Sequence, residues 1–171
     1  MSIESIARNI VASGGGNVLD DYYRFYNDGK WAVEVVRKII ATLTQMNTME
    51  SYSVRLPKLE ECIGYLDDVK LDELGVDSFE KEMKKHLKSI KKSYDDWDDA
   101  DDDGKVAKYD EFMDNVATAR DYAVAFEKSC VNAFRNRYID DEQNVRNLLG
   151  VIQDAGNKIM NGNSSANQKL N

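Results

Sequence analysis

The chain has 171 residues, 42% of them hydrophobic and 32% charged, a balance that suits a soluble globular protein with one folded core rather than a disordered chain. Its net charge of −8 argues against a protein that coats nucleic acid or an anionic membrane. No stretch approaches the ~18 apolar residues of a membrane span, and the opening MSIESIARNI lacks the basic start and long apolar run of a secretory signal.

The single proline, Pro57, predicts long unbroken helices. At the N-terminus, Ile3, Ile6, Ala7, Ile10 and Val11 form a short apolar stripe at helical spacing, ended by Gly14-Gly15-Gly16. Residues 1–16 therefore read as a helical arm on a glycine hinge. Ile3, Ile6 and Ile10 are its candidate partner-binding face, because an amphipathic helix on a hinge can leave its own core for a partner's groove. The competing use of the arm is to close its own bundle.

Residues 22–31, YYRFYNDGKW, carry a hairpin signal at Asn27-Asp28-Gly29. A lone hairpin is marginal in water and no other strand is available to extend it. Helix–turn–helix is the expectation, with a buried helix from near Asp28 bearing Trp31, Val35, Val36, Ile39, Ile40 and Leu43. The aromatics Tyr22, Tyr23, Phe25, Tyr26 and Trp31 are assigned to core packing rather than base stacking, since the chain is acidic.

Pro57 is expected in the first turn of the next helix, whose apolar face is Leu59, Cys62, Ile63 and Leu66. KLDELGVD, residues 70–77, reads as a connection. Asp77 or Ser78 then caps a helix with Phe79, Met83, Leu87, Ile90, Tyr94 and Trp97 at steps of four and three. After an acidic stretch, Phe112, Val116, Ala119, Ala123, Phe126 and Cys130 define a long helix to about Tyr138. Val145, Leu148, Leu149, Ile152, Ala155 and Ile159 define a last one. The sum is an all-α antiparallel bundle of five or six helices: an arm over 1–16, a bundle over 17–160 and a disordered polar tail over 161–171. Cys62 and Cys130 fall on apolar faces, outside any CxxC pattern, and read as reduced core thiols in an intracellular protein.

One stretch hints at chemistry. DDWDDADDDGKVAKYDEF, residues 95–112, holds seven aspartates within residues 95–103. Counted from Asp99, it offers Asp99, Asp101 and Asp103 at loop positions 1, 3 and 5, Gly104 at 6 and the Lys105 carbonyl at 7. That half resembles the calcium loop of an EF-hand, in which six to eight oxygens surround the ion. The second half departs from it: position 12 is Asp110, and Glu111 comes one residue late. The resemblance implies calcium, or magnesium, held by Asp99, Asp101, Asp103, Lys105, Asp110 and Glu111. The alternative is a solvated acidic turn. Upstream, Lys81, Lys84, Lys85, Lys88, Lys91 and Lys92 stud the same helix that ends in aspartates, which makes its surface bipolar. That order is the reverse of what a helix dipole favours.

Enzyme signatures do not appear. His86 is the only histidine, which excludes a two-histidine metal site, and there is neither a phosphate-binding glycine loop nor a nucleophile elbow. The adjacent doublets Glu60-Glu61 and Asp67-Asp68 lack the one-turn spacing of a magnesium-dependent pyrophosphatase. The sequence thus points to a non-catalytic protein-binding or assembly module without a required cofactor, acting on a protein partner or on itself. A calcium-responsive helical protein and an acidic inhibitor of a basic protein are the alternatives.

Overall fold

A computed structural model describes residues 16–69 and 72–170. Among the described residues the fold is an all-α bundle without strands: α1 is Gly16–Thr44, α2 Met49–Tyr65, α3 Val76–Asp99 and α4 Lys105–Leu170. Short 3-10 turns at Leu66–Asp68 and Asp72–Leu74 link α2 to α3. No described helix is long and apolar enough to cross a membrane.

The chain divides into two units, one of residues Tyr23–Phe134 and one combining Met1–Tyr22 with Arg135–Asn171. In the first, each helix turns its periodic apolar stripe inward: Val35, Val36, Ile39 and Leu43 from α1, Leu59, Cys62 and Ile63 from α2, Phe79, Met83 and Ile90 from α3, Phe112, Val116, Ala119 and Ala123 from α4. Burying each large side chain contributes about 1.5–3 kcal/mol, so these stripes dominate the stability of the unit. Phe79 stacks on Phe126 at 4.1 Å between ring centroids and on Tyr122 at 5.6 Å. Both cysteines are buried as free thiols. In the second unit, Glu142 pairs with Arg146 at 2.8 Å one turn apart, and Ile152 is 44% exposed.

Several boundaries differ from the sequence reading. α1 passes through Asn27-Asp28-Gly29 without a turn. Gly29 is a packing glycine: a Cβ there would run into the ring of Phe134, which also contacts Phe25 and Tyr26 at 5.1 and 5.6 Å. Trp31 is not in the core but 39% exposed, beside Tyr65 and Lys38. α2 starts eight residues before Pro57, at Met49. The start is set by a capping box in which the Thr48 hydroxyl accepts from the Ser51 amide at 3.0 Å and the Thr48 amide donates to the Ser51 hydroxyl at 2.9 Å.

α3 is not capped by Asp77 or Ser78. It opens at Val76 after Gly75, whose φ of 69° is a left-handed conformation natural to glycine. Finally, α4 is not interrupted near Tyr138; nothing between Arg137 and Leu149 breaks a helix, and it runs on through residues 161–170.

Candidate functional site

The acidic corner is built by two helix ends. α3 continues through Asp99 and α4 begins at Lys105, so only residues 100–104 lie outside helices. Asp101 opens the return: its carboxylate Oδ1 accepts from the Gly104 amide at 2.8 Å, and its backbone carbonyl accepts from the Lys105 amide at 3.1 Å. That is the work of an N-cap residue. Lys105 folds back over the Trp97 ring at 4.2 Å and donates to the Trp97 carbonyl at 3.4 Å, giving the C-terminus of α3 the positive charge that its own last turn lacks.

The six residues read as ligands are therefore dispersed. Asp99 is the last residue of α3, Asp101 caps α4, and Asp103 is exposed in the turn. The Lys105 carbonyl lies inside the first turn of α4, where it accepts from the helix itself. Asp110 and Glu111 lie farther along α4 and are exposed; Glu111 pairs with Lys108 at 3.3 Å. Among the described residues, no group of three or more His, Cys, Asp or Glu side chains is placed to hold a metal ion. Ile3, Ile6 and Ile10 lie outside the described residues.

A second polar cluster escaped the sequence reading. Glu80, 7% exposed on α3, meets Lys84 at 2.6 Å, and Lys84 reaches Asp67 of the 3-10 turn at 3.5 Å. Burial raises the Glu80 carboxyl above its ordinary value, helped by the hydrogen bond it shares with Asp67. The same hydrogen bond lowers Asp67. Lys84, held by Glu80, is raised in turn. The Glu80–Lys84 step of one turn was legible in the sequence, whereas the approach of Asp67 depends on the α2–α3 connection. Elsewhere, burial pushes the Tyr52 hydroxyl up to about 12 and the Cys130 thiol to about 11, so neither ionises near neutral pH.

Between α1 and α4 lies an open groove of about 400 Å³. Val33, Val131, Phe134 and Tyr26 form its apolar floor, and Lys30, Glu34 and Arg37 its charged rim. Arg37 is held in place by Glu127 of α4 at 2.7 Å. Searched against family models, curated proteins and solved structures, the chain finds no match.

Proposed function

We propose that this chain is a non-catalytic protein-binding or assembly module that works through helix faces. The observation that supports it is the α1–α4 groove, whose apolar floor and charged rim suit one apolar anchor of a partner helix flanked by polar residues. The N-terminal stripe Ile3, Ile6 and Ile10 is the second contact in this reading. With a net charge of −8, the partner is a protein rather than nucleic acid. Two buried free thiols fit a reducing, intracellular setting.

The test pairs two measurements. Light scattering across a concentration series compares the full chain, a chain lacking residues 1–16 and Val131→Glu. A photo-crosslinker at exposed Asn27 then probes the groove rim in extract of the cells that make the protein. A discrete adduct that Val131→Glu abolishes supports the groove. No adduct, together with identical masses for all three chains, would remove the basis for the proposal.

A further inference from the structure

The solvent face of α3 carries a charge order that the helix itself does not favour. At about 100° per residue, Lys81, Lys85, Lys88, Lys92, Asp95 and Asp99 fall within an arc of about 80°, and all six are exposed. The side chains of Lys85 and Lys92 are 74% and 79% exposed. Along this one face the helix reads basic over its middle and acidic over its last two turns. The helix dipole prefers the opposite order, with acids near the N-terminus and bases near the C-terminus. The last turn of α3 contains no basic residue, and its C-terminus borrows Lys105 from α4.

Ion pairs within the chain account for only part of this face. Lys85 pairs with Glu82 at 3.1 Å and Lys92 with Asp96 at 3.3 Å, both exposed and within one turn. Such pairs are worth about 0.3–0.5 kcal/mol and exchange partners readily. Among the described residues, Lys81, Lys88, Asp95 and Asp99 have no opposite charge within ion-pair distance.

We propose that the exposed face of α3 binds the same face of a second copy of this chain, antiparallel, in a closed two-fold dimer. Turning one α3 end for end over another sets Lys92 opposite Asp95 of the second copy and Lys88 opposite Asp99, while Lys85 approaches Asp102 in the acidic corner. Each contact occurs twice, because a two-fold interface uses the same patch on both partners. A parallel arrangement would set lysine against lysine and aspartate against aspartate. The face is thus self-complementary in one orientation and self-repelling in the other. This surface shares no residue with the α1–α4 groove, so a change such as Val131→Glu leaves it intact.

Charge exchange tests the proposal on the full chain by sedimentation equilibrium. The wild type should form a dimer in ~0.02 M salt and lose it by ~0.5 M, where exposed charges are screened. Lys88→Glu with Lys92→Glu reverses the basic side of the 88–99 and 92–95 contacts, and Asp95→Lys with Asp99→Lys reverses their acidic side. Either double variant should weaken self-association about tenfold or more, and an equal mixture of the two should restore a dimer. The basic variant also moves lysines to a helix C-terminus, so it should melt no earlier than the wild type; loss of its dimer is then not unfolding. A wild type that stays monomeric at low salt overturns the proposal. So does a dimer indifferent to both variants, a mixture that fails to associate, or a mass that grows past two copies, which would mean head-to-tail stacking. Retention of heparin on the lysines without any dimer would reassign the face to a polyanion.

Discussion

Asp101 decides how the acidic corner is to be tested. Its carboxylate accepts a backbone amide at the start of α4, a role asparagine fills equally well and alanine cannot. Asp101→Ala should therefore cost about 1 kcal/mol in chemical denaturation, and Asp101→Asn close to nothing. Calorimetric titration of calcium into the wild type should give weak heats that fade in ~0.15 M salt, where repelling surface charges are already screened. A saturable site lost in Asp101→Asn would instead establish a metal loop, because that variant changes charge while keeping the cap. Glu80 gives a pH prediction. Its folded carboxyl is raised, so its contribution to stability is complete below the unfolded value of 4.5 and is lost as pH rises through the folded value. Asp67 is lowered from 3.8, so its own contribution is lost only as pH falls below that value. Between pH 4.5 and 7 the wild type should then lose stability relative to Glu80→Gln, and parallel pH profiles for the two would contradict the assignment.

At the level of the element, local chemistry set some helix boundaries and packing set others. The capping box at Thr48 and Ser51 was present in the sequence, but Pro57 draws attention because proline usually marks a helix start. Inside α2 it removes one amide donor and crowds the carbonyl one turn back, at a cost of about 3 kcal/mol, partly offset by a stiffer unfolded chain. Replacing exposed Pro57 by alanine should raise stability by about 2 kcal/mol in urea denaturation. Gly29 runs the other way. In a free helix, Gly→Ala gains about 1 kcal/mol, yet here the new methyl displaces Phe134 from Phe25 and Tyr26. Each aromatic contact is worth about 0.5–1.5 kcal/mol beyond its buried area, so Gly29→Ala should be net destabilising. The effect should shrink in a Phe134→Ala background, where a double-mutant cycle isolates the contact.

For the molecule as a whole, charge distribution matters more than total charge. Seven aspartates within residues 95–103 repel one another at neutral pH, on a chain that is already acidic. At a concentration low enough that the chain is monomeric throughout, raising salt from ~0.02 to ~0.3 M should screen this repulsion and raise the melting temperature by about 2–4 °C. The Asp95→Lys, Asp99→Lys variant should gain less, since part of the repulsion is already removed. An unchanged melting temperature would mean that the acidic corner is neutralised within the fold.

The sequence alone determined the fold class and most of the core, because burial on one helix face imposes a period that survives in the chain. Phe79, Met83, Ile90, Phe112, Val116, Ala119 and Ala123 were legible on that basis, and all are buried. The same period exposes the lysine-to-aspartate order along α3, since a solvent face is simply the complement of the buried one. What the sequence could not decide depends on neighbours distant along the chain. Gly29 looked like a turn until Phe134 was seen packed on it, and Trp31 looked buried until its helix face was seen to open outward. The Glu80 carboxyl is raised by its burial and then by Asp67, which the α2–α3 connection carries to its side. The calcium-like loop shows the limit most clearly: eight residues can match a ligand spacing while the flanking helices set where the loop begins and ends. Only the tertiary structure brought α3 through Asp99 and started α4 at Lys105, leaving Asp101 to cap a helix.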